Sequence, residues 1–137
     1  MHAFFDADDS SPKIELTIRG DKRKKPRKII ALLDTGHTGS LALPILDLIE
    51  IGATLESFGP VRLADGSEVS VYYFKVFVEI DGVERQVQAS MIDNQNINEA
   101  IAGLELLGSH IAVMDFRNKN LLVTTHEQLD KLMKKGA

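Results

Sequence analysis

The residues best placed to do chemistry lie in one segment, Ala31-Leu32-Leu33-Asp34-Thr35-Gly36-His37-Thr38-Gly39-Ser40-Leu41-Ala42-Leu43-Pro44. Its carboxylate, Asp34, follows the continuously apolar run Ile29-Ile30-Ala31-Leu32-Leu33, which reads as a strand buried on both faces. An aspartate held at a strand end can act as a general acid or base. The same Asp-Thr-Gly also suits a plain tight turn. A bare Asp-Thr-Gly arises by chance in roughly a few per cent of chains this long, so its surroundings decide the reading. Those surroundings are the apolar strand before it, a Gly-containing turn after it, the Asp65-Gly66 pair further on, and the apolar-apolar-Gly segment Ile101-Ala102-Gly103.

Other catalytic templates do not fit. The chain contains no G-x-S-x-G, no H-E-x-x-H and no Walker loop, and the Gly36-x-x-Gly39 spacing lacks the lysine of a phosphate loop. With no cysteine there is neither a thiol nucleophile nor a disulfide framework. His2, His37, His110 and His126 show no zinc spacing, so no metal or other cofactor is expected, and His110 and His126 read as surface residues. Asp115 lies in an apolar run without a following Thr-Gly, and it reads as a strand-end or turn carboxylate that bonds backbone rather than as a partner for Asp34.

The elements that must position Asp34 are mostly strands. Ile14, Leu16 and Ile18 alternate with polar residues up to Gly20-Asp21, a period of two that predicts a half-buried strand. The basic run from Lys22 to Lys28 contains Pro26 and reads as a solvated hairpin loop. Pro44 begins a short helix with Ile45, Leu48 and Ile49 on one face and Gly52 as its stop. Asp65-Gly66 and Asp81-Gly82 separate alternating segments and predict two hairpins of a β-meander. The residues from Asp93 to Glu99 read as a loop, Leu104 to Leu107 as a short apolar turn, and Ile111–Phe116 with Leu121–Val123 as a last hairpin around Asn118-Lys119-Asn120. Thr125 with Gln128 forms a capping-box pattern for a terminal helix whose apolar stripe is Leu129, Leu132 and Met133.

Composition bounds the rest. A chain of 137 residues with 44% hydrophobic residues and a formal charge of −4 describes one domain with one core. Its mild acidity argues against a nucleic-acid partner, and no stretch has the length and apolarity of a membrane span or a signal peptide, so a cytoplasmic location is the default expectation. Three parts are expected: a flexible N-terminal tail over 1–12, a domain over 13–123, and a C-terminal helix over 124–137. Phe4 and Phe5 make the tail a candidate dimer arm or a trimmed pro-segment.

From about Lys13 to Val123 the chain resembles the retropepsin-like aspartic proteases of clan AA, in particular the small single-domain prokaryotic members. The resemblance is carried by three motifs in the family's order: Asp34-Thr35-Gly36, the hairpin Leu63-Ala64-Asp65-Gly66-Ser67, and Ile101-Ala102-Gly103-Leu104-Glu105-Leu106-Leu107. It implies a mostly β, closed acid-protease barrel with short helices and the C-terminal helix, and a homodimer in which two Asp34 residues face one cleft. Two carboxylates within hydrogen-bonding distance cannot both ionise cheaply, so such a pair keeps one shared proton and acts as base and acid together on a water. The implied activity is endopeptidase cleavage of extended polypeptide.

By the same resemblance Thr35 bonds across the dimer axis and Gly36 admits the substrate backbone. Ala64, Asp65 and Gly66 form a flap over the peptide, while Ile101 and Ala102 support the catalytic loop and line part of the cleft. Two residues depart from the family's pattern. His37 stands where a small residue is frequent and reads as a bystander or a subsite residue, and Ala102 is smaller than usual. The alternative function is a non-catalytic, dimeric peptide-binding module on the same fold.

Overall fold

The computed structural model describes residues 1–94 and 96–136. Ten strands and two helices follow one another as β1 (Ala3–Phe5), β2 (Pro12–Arg19), β3 (Arg27–Leu33), β4 (Leu41–Pro44), α1 (Ile45–Glu50), β5 (Thr54–Arg62), β6 (Glu68–Ile80), β7 (Val83–Ile92), β8 (Ala100–Ala102), β9 (His110–Asp115), β10 (Asn120–Thr125) and α2 (His126–Lys135). Strands β2, β3, β8, β4, β7 and β6 lie side by side in that order, and β6 returns to β2 through Thr17–Glu79, Ile18–Val78 and Arg19–Phe77. The sheet therefore closes into a six-stranded barrel, as expected.

Alternation explains what fills it. Ile14, Leu16 and Ile18 of β2, Ile29, Ala31 and Leu33 of β3, and Val76, Val78 and Ile80 of β6 point inward onto Leu41, Leu43, Ala89 and Leu106. The short β8 is the unusual member. It runs parallel to β3, with Leu32 opposite Ile101 and Leu33 opposite Ala102, and antiparallel to β4, with Leu41 opposite Ala102. Residues 100–102 are thus inserted between the two strands that flank the Asp34 loop.

The turns are as the sequence indicated. Asp81 and Gly82 both have positive φ, 53° and 80°, which matches the twist of a two-residue hairpin turn joining Ile80 to Val83. The basic run from Lys22 is exposed up to the point where Arg27 and Lys28 open β3. Helix α2 starts on a full capping box, with the Thr125 hydroxyl accepting from Gln128 N at 3.2 Å while Gln128 Oε1 accepts from Thr125 N at 3.4 Å.

Several expectations are corrected. Strand β3 is not buried on both faces: Ile30 is 51% exposed on the outer face of the barrel, beside the loop residues Asn96–Glu99. In α1 only Leu48 is buried, and Ile45 and Ile49 face out, since a helix of six residues reaches the core with one side chain. The N-terminal twelve residues are not a free tail. β1 pairs with β2 (Ala3–Ile14, Phe4–Lys13, Phe5–Pro12), occupying the half of that strand's edge that β6 does not reach.

Behind β1 sits a charge cluster that period-two reading could not find. Lys13 is 7% exposed and its ammonium pairs with Glu99, with Asp9 at 3.8 Å and Asp6 at 3.9 Å. A buried ammonium is tolerated only with carboxylates about it. Its partners come from the N-terminal segment and from the loop that enters β8, so this cluster ties both to β2. Glu99 is 39% exposed, so water offsets part of any loss. Lys13→Met is expected to lower unfolding stability by about 1–2 kcal/mol, read as a lower urea midpoint with an unchanged slope.

Candidate active site

Asp34 is half-buried at the end of β3, and Thr35 and Gly36 are exposed beside it. The local geometry is fixed by backbone. Asp34 N donates to Ala102 O at 3.0 Å, which anchors the strand end on β8, and Gly36 N donates to Asp34 Oδ1 at 2.8 Å, which orients the carboxylate. One carboxylate oxygen is thereby committed to the loop.

The remainder of the loop is zipped to the chain that follows β8. Gly103 N donates to Ser40 O at 3.0 Å, Leu104 N to His37 O at 2.9 Å, and Glu105 N to Gly39 O at 3.3 Å. Gly103 is obligatory in this zipper. A Cβ there would lie under 3.0 Å from Gly39 O, His37 O and the His37 ring. Ser40, whose carbonyl closes it, is itself buried.

His37 is half-buried, its ring packed against Gly39 and Gly103, and its Nε2 is buried with no hydrogen-bond partner. The ring fills space behind the loop and does not reach a carboxylate. It also borders a cleft of about 470 Å³ that runs from Thr38–Leu41 to the arms of the β5–β6 hairpin at Val61, Val71 and Tyr73, and that Gln88, Ser90 and Glu105 also line. A second cavity, about 310 Å³, lies on the other side of the loop between Asp34, Thr35, Leu104, Leu107, His110 and Ala112.

The sequence motifs are therefore brought together unequally. Asp34, Thr35 and Gly36 share one loop, and Ala102, fully buried, supports it through its carbonyl, with Ile101 half-buried next to it. The lining role expected of Ile101 and Ala102 falls instead to the residues just after them, Glu105 in the larger cleft and Gly103 and Leu104 in the smaller cavity. Ala64, Asp65 and Gly66 form the exposed tip of the hairpin, outside the cleft wall that Val61 and Val71 supply. At that tip Gly66 has φ +87° and donates to Leu63 O at 2.9 Å, while Asp65 Oδ1 accepts from Ser67 N at 2.9 Å and from Ser67 Oγ at 2.6 Å.

Two of the polar residues set aside in the sequence have definite places. Asp115 accepts from Asn118 N at 3.0 Å, the turn role expected of it. His110 is corrected: its side chain is 9% exposed, and Nε2 lies 3.2 Å from Asp81 Oδ2, because the β6–β7 turn folds over the start of β9. Among the described residues no group of three or more His, Asp or Glu side chains is arranged to hold a metal ion, and no helix is long and apolar enough to cross a membrane.

The fold has a solved counterpart. EIAV protease, in complex with the inhibitor HBY-793, superposes with a TM-score of 0.52 at 18% identity, covering 79% of this chain and 98% of the other. The fold is therefore retropepsin-like, mostly β with a closed barrel and a C-terminal helix. No family model and no curated protein matches the chain.

Two outcomes follow from this geometry. Gly103→Ala is expected to cost about 2–4 kcal/mol, because the added methyl meets backbone rather than a flexible side-chain end; thermal unfolding of the variant checks it. The Ser67 hydroxyl and then its amide hold the Asp65 carboxyl below its ordinary value of 3.8. The hairpin tip is then supported above the unfolded value and loses that support as pH falls through the lower folded one. A pH titration of the Ser67 amide signal by NMR is expected to have its midpoint below pH 3.8.

Proposed function

We propose that the chain is one subunit of a homodimeric aspartic endopeptidase, with Asp34 as its catalytic carboxylate. The observation that carries this reading is the Asp34 loop itself: a carboxylate at a barrel strand end, half-buried, oriented by Gly36 N and anchored on β8, beside a cleft walled by a long hairpin. The likeness of the fold to a viral protease supports it.

One such carboxylate cannot supply both a base and an acid at the same moment. A second copy, with its own Asp34 facing the first, completes the pair. One Asp34 takes a proton from water as the water attacks the scissile carbonyl, and the protonated Asp34 donates toward the carbonyl oxygen. The tetrahedral intermediate then collapses as a proton passes to the leaving amine. No covalent enzyme intermediate forms.

The substrate in this reading is an extended polypeptide. The cleft is lined by the apolar residues Leu41, Val61, Val71 and Tyr73 and the polar residues Ser40, Gln88 and Ser90, a mixture that suits an extended peptide carrying both kinds of side chain. In this reading Thr35, exposed on the loop, bonds across the two-fold axis, and the β5–β6 hairpin is the cover that closes on the peptide.

The test is digestion of an unstructured polypeptide mixture from mildly acidic to neutral pH, with cut sites read by mass spectrometry for wild type and Asp34→Asn. Loss of all cuts, a fall of at least a thousandfold in rate with the fold and assembly unchanged, is the expected result. Equal silence from both proteins would replace the peptidase by a non-catalytic peptide-binding module.

A further inference from the structure

We propose that the 470 Å³ cleft selects a lysine or arginine side chain of the extended polypeptide it takes, with the Glu105 carboxylate as the anchor for the cationic end. The inference rests on the reading of this cleft as the peptide groove, and it adds the kind of side chain that the groove prefers.

Charge gives the first argument. Among the described residues that line the cleft, Glu105 is the one carboxylate, and none is a lysine or an arginine. Glu105 is exposed and forms no ion pair among the described residues. Two cations of the neighbouring strands are turned to other partners. Arg85, which lines an adjoining pocket of about 300 Å³ with Glu105, donates to Leu106 O, and Lys75, the cross-strand partner of Gln88, lies over the Phe77 ring at 6.0 Å.

The hydrogen-bonding groups of the lining point the same way. Gln88 Nε2 donates to Glu56 Oε1 at 3.4 Å, and Ser90 Oγ donates to Leu41 O at 3.5 Å. Both donors are spent within the chain, which leaves Gln88 Oε1 and the Ser90 lone pairs as acceptors. Glu56 sits where the β5–β6 register shifts between Leu55 and Ser57, an extra residue of the kind that re-aims a side chain, and it adds a second carboxylate behind Gln88. Ammonium and guanidinium groups are donors only, so they match such a set, whereas an acidic side chain would meet acceptors and like charge.

The apolar part of the lining completes the match. Lysine and arginine lay a hydrocarbon stem along apolar surface and keep the charged head on a polar group. Leu41, Val61, Val71 and Tyr73 suit the stem, and Glu105 suits the head. Glu105 N also donates to Gly39 O at 3.3 Å, within the zipper that holds the Asp34 loop. A basic residue seated there therefore sets the register of the peptide on that loop.

The probes are end-blocked peptides of uncharged sequence that carry one lysine, norleucine or glutamate at each position in turn, with binding to the Asp34→Asn protein read by fluorescence anisotropy. The best lysine peptide is expected to bind about tenfold or more tighter than its glutamate counterpart, with norleucine between them, and wild-type kcat/KM is expected to show the same order. Adding Glu105→Gln is expected to shrink that ratio to about threefold or less, and Glu105→Lys to invert it, with the circular dichroism of the folded chain retained. Raised salt is expected to shrink the ratio without any substitution at Glu105. A ratio near one, or a ratio that survives both Glu105→Gln and high salt, would overturn the inference while the peptidase reading stands on the wild-type cuts. A lysine preference in a wild type that cuts nothing would uphold the selectivity and defeat only the peptidase. No binding of any peptide and no cuts would overturn both.

Discussion

The insertion of β8 between β3 and β4 is the constraint on which the rest of this molecule depends. Three residues, Ala100–Ala102, satisfy the inner edges of two strands that the Asp34 loop would otherwise leave apart. The bonds from Asp34 N, Gly103 N, Leu104 N and Glu105 N then fasten the loop to the continuing chain. Each such bond adds about 1 kcal/mol net, but leaving buried backbone groups unpaired would cost more than that. The barrel wall, the direction of the carboxylate and the need for glycine at 103 are thus one arrangement seen from three sides.

Around this fixed centre the molecule is graded in firmness. The loop is held from both sides, whereas among the described residues β5 pairs only with β6, and it is exposed over most of its length. Its outward pair Phe58–Tyr72, 6.0 Å between centroids, stiffens the hairpin without attaching it to the core. Few buried contacts and many solvent-facing backbone bonds mark segments that open locally before the whole unfolds. A cover over the cleft needs that property, and a catalytic carboxylate needs the opposite one.

Much of this was legible in the residues. Period-two alternation located β2 and β6, the Asp-Gly pairs located both hairpins, and Thr125 with Gln128 located the start of α2, because in each case the signal is local. The apolar run before Asp34 correctly announced β3 but not that Ile30 faces outward, since local hydrophobicity does not reveal which side of a wall is covered. The Lys13 cluster, the strand role of Ala3–Phe5 and the burial of His110 all depend on partners distant in the chain, Glu99, Ile14 and Asp81. Of the candidate site, the loop and its support could be read from motif order. The cleft wall could not, because Val61, Tyr73 and Ser90 carry no chemistry that marks them before the strands are laid side by side.

The threading of the barrel also orders its assembly in time. Asp34 is made well before the strand that anchors it, Ala100–Ala102, and the Gly103–Glu105 segment that zips its loop. Closure between β2 and β6 is likewise non-local, and contacts of this kind form slowly because long loops must first be brought together. A nascent chain that has passed Asp34 but not Gly103 holds its carboxylate on an unfinished wall. The fold therefore completes the surroundings of Asp34 only once Ala100–Glu105 has been made and threaded between β3 and β4.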